Sequence, residues 1–516
     1  MTQPQTSAAQ AEAQAAAAAD HADNPHYAKR WWILALLGTA QLMVVLDATI
    51  VNIALPHAQA ALGFGNTDRQ WIVTGYSLAF GSLLLLGGRI ADLFGRKRIF
   101  IIGVIGFAAA SAFGGAAQNF DMLLAARIIQ GAFGALLAPA TLSLLTTTFT
   151  NPVERSKAMG IYGGIAGAGA SVGLLLGGVL TEYLDWRWVM YVNVLIAAIA
   201  LTGGVTLLKQ IAVPHRPRLD LVGTVLAAVG LFALVYGFSN ASMSSGSSGW
   251  TKPATLGTLI GGAVLLVAFV IAEQRVAHPL MPLRVILDRN RAGAYLAMFF
   301  AAIGMFGVFL FLTYYLEETL QYSAVKTGLS FLPLTVALVI VAAVGNTVLL
   351  TRVSARILVP IGLLLAAVGM ALLTHIGLQS DYAADVLPTL LLVGLGLGLV
   401  FAPAFTLGTF GVDASDAGVA SATVNVAQQI GGSIGTSLLN TIAAVAASGY
   451  ITAHAASITG AASKQLVEAN ALLNSYHTVF WVAAGIYAGC AVLCALLLRS
   501  GIAIPSGDTE PAAAGV

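Results

Sequence analysis

Asp47 stands in the middle of an apolar stretch that begins near Trp32, about 15 residues earlier. At 1.5 Å per residue that places it roughly 22 Å along a helix. An acid so placed is costly unless it is protonated or paired, which marks it either for function or for a structural ion pair. Arg127 is the natural partner. It follows Asp121 by six residues on another apolar stretch that runs the opposite way, so it reaches a similar depth. Gln130 and Gly131, at i+3 and i+4, share its helix face. Gly131 would admit a neighbouring helix closely, and Gln130 would orient the guanidinium. Loss of hydration favours the neutral acid, whereas a nearby guanidinium favours the carboxylate. A group balanced between the two is what coupling to protons requires.

A second concentration of charge, Gly88-Arg89-Ile90-Ala91-Asp92-Leu93-Phe94-Gly95-Arg96-Lys97-Arg98, stands between the second and third apolar stretches. Gly88 permits tight packing, and Arg96 and Lys97 would anchor to phospholipid headgroups and hold the hairpin on one side. Conformity to charge asymmetry alone is the alternative reading.

These groups are positioned by a membrane protein. The chain has 516 residues, only 9% of them charged, and a mean hydropathy of +0.86; a soluble domain carries roughly 25% charged residues. Runs of about 20 apolar residues cross the ~30 Å hydrocarbon core as helices, and their continuity excludes a β-barrel. Fourteen spans are predicted, near 32–54, 71–91, 99–118, 122–147, 158–182, 187–208, 221–239, 254–273, 293–316, 327–350, 355–376, 386–409, 417–446 and 477–499. Residues 1–28 read as a disordered cytoplasmic tail without the features of a secretory signal, and 501–516 as a second. The domains are then a six-helix half (29–210), an inserted helix pair with cytoplasmic linkers (211–290), and a second six-helix half (291–500). With the N-terminus inside, 18 of the 24 Lys and Arg residues fall on the cytoplasmic side and five outside, with Arg127 within a span. The positive-inside rule therefore sets both termini in the cytoplasm.

Several motifs carry a resemblance. The charged hairpin resembles the signature loop of the major facilitator superfamily, G-x-L-x-D-x-x-G-R-K, with Ile90 in place of the Leu. Leu46-Asp47-Ala48-Thr49-Ile50-Val51-Asn52-Ile53-Ala54-Leu55-Pro56 and Gln70-Trp71-Ile72-Val73-Thr74-Gly75-Tyr76 resemble the first two helices of its fourteen-span drug/proton antiporters, the EmrB/QacA type. Arg127-x-x-Gln130-Gly131 resembles the fourth-helix motif whose arginine is tied to proton transfer. Trp186-Arg187-Trp188 with Asn193, and Gln429-Ile430-Gly431-Gly432-x-x-Gly435, extend the similarity to the sixth and thirteenth spans. On the fifth helix Gly160, Gly169, Gly173 and Gly177-Gly178 reproduce the antiporter spacing G-x₈-G-x₃-G-x₃-G-G. Gly169, Gly173 and Gly177 share one face, with Gly160, Gly164 and Gly167 roughly opposite, as close contact on both sides requires. The family has proline where this chain has Leu174, which predicts that a kink is missing there.

The resemblance implies an all-α major facilitator fold, with Gly88, Asp92, Gly95, Arg96 and Lys97 as a conformational latch whose Asp92 meets the start of the thirteenth span, where the positive end of the helix dipole favours an anion. Asp47 and Arg127 would form the proton-coupling pair. A cavity between the halves near mid-membrane would take its polar stripe from Asn425, Gln428 and Gln429 and its apolar walls from Tyr76, Phe299, Phe300 and Phe306, with Gln130 also lining it.

The expected function is a proton-coupled antiporter that exports amphipathic small molecules (drugs, dyes or antibiotics). Its partners are its substrate, protons and the lipid bilayer, with no oligomer implied. An importer of a small metabolite on the same fold is the alternative, and a non-transporting sensor a third reading that the embedded charges oppose. A lone embedded acid suits neutral or monovalent cationic substrates. Cys490 and Cys494, four apart on one apolar helix, form neither a disulfide nor a metal site in this reading. No cofactor, metal or nucleic acid is called for, there is no phosphate-binding G-x-x-x-x-G-K-[ST] loop, and the two G-x-S-x-G matches at Ser171 and Ser433 fall in membrane helices. The chain does not read as an enzyme.

Overall fold

A computed structural model describes residues 25–210, 220–243, 248–276, 279, 281–350, 352–412, 416–455 and 460–501. The linker residues 214–218 and the tail from 502 onward lie outside these, as does the predicted N-terminal tail up to residue 24. That tail's last four residues are structured, which moves its boundary. A turn at Pro25 and His26 leads into a 3₁₀ turn, Tyr27–Lys29, and His26 Nε2 accepts the amide of Lys209 at 2.9 Å. Burial lowers the pKa of His26, which favours the neutral ring that this bond needs.

All fourteen predicted spans are helical: α1 Arg30–Leu62, α2 Asn66–Phe94, α3 Arg96–Gly115, α4 Phe120–Thr148, α5 Pro152–Tyr183, α6 Trp188–Leu207, α7 Leu221–Met243, α8 Pro253–Glu273, α9 Arg289–Tyr314, α10 Leu332–Val344, α11 Ala355–Leu372, α12 Leu387–Thr409, α13 Ala417–Ala453 and α14 Ala461–Leu497. Twelve spans among the described residues are long and apolar enough to cross a membrane, and α5 makes a thirteenth as a bent span. The apolar part of α7, Val222–Phe238, is shorter.

Three elements differ in detail from the sequence reading. The tenth span is broken: a short helix, Ala324–Ser330, precedes α10, which restarts with Pro333 in its first turn, where a missing N–H costs nothing. In α5 the axes of Val153–Gly169 and Ser171–Tyr183 diverge by 43°, although Leu174 replaces the motif proline. Small-residue sequences are one known origin of such bends, and here Gly163, Gly164, Gly167 and Gly169 approach the bend. Finally, α14 begins well before residue 477, because a helix needs hydrogen bonds rather than apolar side chains to continue. Its polar first turns include a Lys464–Glu468 pair at i, i+4.

The two faces of α5 hold different neighbours. A methyl group at Gly169 would lie 2.9 Å from Val45 Cβ, at Gly173 2.9 Å from the Leu46 carbonyl, and at Gly177 2.9 Å from the Ile50 carbonyl, so this face is pressed onto α1. On the other face Gly163 meets the backbone of Ala402 in α12, and Gly164 and Gly167 meet Val339 and Leu338 in α10. Close backbone approach through small residues is the usual device for packing helices in lipid. Between α2 and α13, Gly88 faces Gly418 and Ala422, each 2.8 Å from a methyl built there. α7 lies along this seam and touches both sides. Its Ala227 and Leu231 cluster with Leu85 of α2 and with Val419 and Ala422 of α13, and its Tyr236 ring packs against Trp71.

Candidate functional site

Side chains from α1, α4 and α6 meet at Asp47, with α2 and α3 behind them. The α1–α5 contact seats α1 so that the Asp47 side chain points away from lipid with none of its surface exposed, and Arg127 of α4 is 1% exposed. Arg127 Nη1 donates to Asp47 Oδ2 at 2.6 Å, and Oδ1 accepts from Gln130 Nε2 and Asn193 Nδ2, both at 2.7 Å. The carboxylate thus receives three hydrogen bonds, one from a cation. A second tier holds the first. Arg127 Nη1 also donates to Gln130 Oε1 at 2.6 Å, and its Cζ lies 4.3 Å from the centre of the Tyr76 ring, within cation–π range. Gln130 Nε2 donates to Ser111 Oγ of α3 at 2.7 Å, and that hydroxyl donates to the Phe107 carbonyl at 2.8 Å. A buried charge is tolerated only when paired and hydrogen-bonded, and this one is both.

Gly131 explains how α4 comes close enough. A methyl there would run into the Tyr76 carbonyl and lie 3.1 Å from the Phe80 amide of α2.

Two residues expected to line a substrate cavity belong to this knot instead. Gln130 has no exposed surface and Tyr76 has 1%; the first binds the ion pair and the second covers the guanidinium. Of the others, Asn425 is buried and gives its amide to the Ser421 carbonyl of its own helix, Gln428 is buried and Gln429 half-buried, and Phe306 packs over Gly432. Phe299 and Phe300 make an edge-to-face pair. Asn425 and Phe306 are not brought into the Asp47 knot. A cavity of ≈ 470 Å³ lies elsewhere, at the ends of α1 and α5 beside His57, Thr181, Asp185 and Trp186.

Ser111 was missed by sequence reasoning, and Asn193 was noted only as part of a motif. A lone serine in an apolar helix carries no signal, since it can bond its own backbone. The asparagine does carry one, being the only amide side chain in α6.

The hairpin forms a second charged site. Gly95, at φ 94°, makes the turn between α2 and α3, a conformation that favours glycine. Asp92 is 6% exposed. Its Oδ1 accepts from Arg96 Nη2 at 3.2 Å, while Oδ2 has no hydrogen-bond partner among the described residues. The carboxylate lies against Gly418 in the first turn of α13, where the helix dipole favours an anion. At the N-cap of α13, Asp416 is bridged by Arg284 Nη2 at 2.6 Å. Lys97 departs from expectation: its ammonium donates to the Val205 carbonyl at 3.2 Å and to that of Leu208 at the end of α6. It therefore caps a helix, where unpaired carbonyls and the dipole attract a cation, rather than reaching for headgroups.

Gly160 and Gly178 are buried in α5 with the rest of its motif. Cys490 and Cys494 are buried and free. Among the described residues no group of His, Cys, Asp and Glu is arranged to hold a metal.

Comparison with known proteins bears on the whole chain. The family pattern described as Major Facilitator Superfamily matches residues 37–436. The puromycin resistance protein pur8 of Streptomyces alboniger is 46% identical over 474 residues, covering 92% of each chain. The cephamycin export protein CmcT of Amycolatopsis lactamdurans is 38% identical over 81% of this chain and 85% of its own, and the lincomycin resistance protein of Streptomyces lincolnensis is 34% identical over 79% and 83%. A crystal structure of the human organic anion transporter MFSD10 (TETRAN) matches with a TM-score of 0.60 at 15% identity, covering 90% of this chain and 99% of that one, which speaks to the fold.

Proposed function

The chain belongs to the major facilitator superfamily, and we propose that it exports amphipathic small molecules, antibiotics among them, in exchange for protons. It is a multi-pass membrane transporter and not an enzyme. The observation that carries the coupling is the sealed carboxylate of Asp47, whose every oxygen is held by donors and whose charge is matched by one cation. Such a group is sealed from water until the surrounding helices move, which ties its exchange of protons with either side to alternating access. The names of the relatives support the substrate class, and puromycin is the first compound to test.

The fourteen helices would span the cytoplasmic membrane with both termini inside, as two six-helix halves (29–210 and 291–500) flanking the pair α7–α8. Gly88 and Asp92, set against α13, would close the cytoplasmic side, with Gly95 and Arg96 shaping the hairpin and Lys97 tying it to α6. The α5 face of Gly163, Gly164 and Gly167, set against α10 and α12, would be the surface on which the halves rock, with Gly169, Gly173 and Gly177 fixing α5 to α1.

The test is direct. Proteoliposomes of known orientation, carrying an imposed pH gradient and an internal pH dye, are given puromycin. Protons should move opposite to it, and its binding should weaken as the pH falls, because substrate and proton compete. Protons running with the substrate would make the chain an importer-type symporter and overturn this reading.

A further inference from the structure

Each group that touches the Asp47 carboxylate in this structure is a donor: Arg127 Nη1 on Oδ2, Gln130 Nε2 and Asn193 Nδ2 on Oδ1. A protonated acid is itself a donor and needs an acceptor. Arg127 has none to offer. Gln130 is locked, because its oxygen takes the Arg127 bond and its nitrogen bonds Ser111, whose hydrogen is already committed to Phe107. Turning that amide would set N–H against guanidinium and carbonyl against hydroxyl oxygen. Asn193 is different. It has no exposed surface, and its Oδ1 has no hydrogen-bond partner among the described residues.

We infer that Asn193 serves both protonation states of Asp47 by rotating its amide. With the carboxylate, Nδ2 donates, as seen. When a proton adds to Oδ1, half a turn about the Cβ–Cγ bond of Asn193 brings its Oδ1 to the new O–H, and the hydroxyl oxygen still accepts from Gln130. Asn193 keeps one bond to Asp47 in either state, and no other residue of the knot has to break a bond. Of the neighbouring side chains in the knot, Tyr76 of α2 packs its ring against the Arg127 guanidinium and Ser111 of α3 is engaged by Gln130. Asn193 is thus a positioning residue. It lets a sealed acid load and release a proton without dismantling the ion pair's support.

This rests on Asp47 being the coupling acid, so the test separates the two claims. Full-length protein in lipid is examined by infrared difference spectroscopy across a pH jump, in parallel with puromycin transport. Wild type should show a protonated-carboxyl band together with a shift of an asparagine side-chain carbonyl, identified by carbon-13 asparagine. In Asn193→Ala the amide component should vanish, the carboxyl band should move, and turnover should fall at least about tenfold with puromycin affinity within about twofold. Asn193→Ser, whose hydroxyl both donates and accepts, should recover turnover to within about threefold of wild type. An unshifted carboxyl band in Asn193→Ala, or equal turnover loss in the Ser and Ala variants when both are properly inserted, would overturn the role of Asn193 alone. A carboxyl band that persists in Asp47→Asn would instead overturn the coupling reading itself.

Discussion

Asp47 and Arg127 meet at 2.6 Å with neither side chain more than 1% exposed, whereas Asp92 and Arg96 meet at 3.2 Å with the arginine 19% exposed. The first pair joins two helices far apart in the chain. The second is an i, i+4 contact across a single turn. Around Asp47 both oxygens are satisfied, while Asp92 leaves Oδ2 without a hydrogen bond and faces a helix end instead. A pair sealed from water cannot exchange its proton casually, since breaking it strands a buried charge. A pair held by one long bond and a dipole separates at small cost. One chain thus sets the same two residue types in a sealed, fully bonded pair in one place and in a loosely held, partly exposed pair in another.

The strongest way to break this contrast is Asp47→Asn. Uphill puromycin transport should be abolished, and the thermal transition should fall as well, because losing one partner of a buried pair costs about 3–5 kcal/mol. Transport against a gradient by this variant, measured in the same proteoliposomes, would show that Asp47 is an ordinary ion pair. Next in size is Gly418→Val. Any side chain at this position drives into the Asp92 carboxylate, so the seam between α2 and α13 should stay parted and turnover should drop about tenfold. A single cysteine at the cytoplasmic mouth should label faster; unchanged labelling would mean that the seam is not a closure. Asp92→Asn keeps the size and removes the charge that favours the α13 terminus, an effect of roughly 0.3–1 kcal/mol. Turnover should fall a few-fold with substrate affinity unchanged, and a large affinity loss would place substrate at the hairpin. Smallest is Arg284→Ala. Its side chain is 67% exposed while that of Asp416 is only 7% exposed, but the N-terminal dipole of α13 continues to favour the Asp416 charge, so transport should stay within about twofold.

Most of the spans were legible because lipid demands continuous apolar stretches, twelve or thirteen of them among the described residues, and the Asp47–Arg127 pair was legible because opposite charges in lipid must find each other. What the sequence hid depends on rotation and on return of the chain. Gln130 was assigned both to Arg127 and to a cavity, and only the packing of α4 on α2 through Gly131 turns it inward. Lys97 reads locally as a surface cation; that the end of α6 comes back beside it is information no local pattern holds. Helix ends were misjudged where polar turns continue α14 and where Pro333 restarts α10. The bend in α5 was expected to be absent because the proline that would announce it is missing.

α7 lies against both α2 and α13, through the cluster of Ala227 and Leu231 with Leu85, Val419 and Ala422. Motion that parts α2 from α13 therefore has to drag at least one of them past α7, losing contacts on the way and regaining others at the end. Such a helix adds friction rather than preference: it raises the passage between conformations from both directions. The inserted pair would then act as a governor on the frequency of the cycle, adjustable through side-chain bulk at Ala227 or Leu231 without touching what is carried or what drives it.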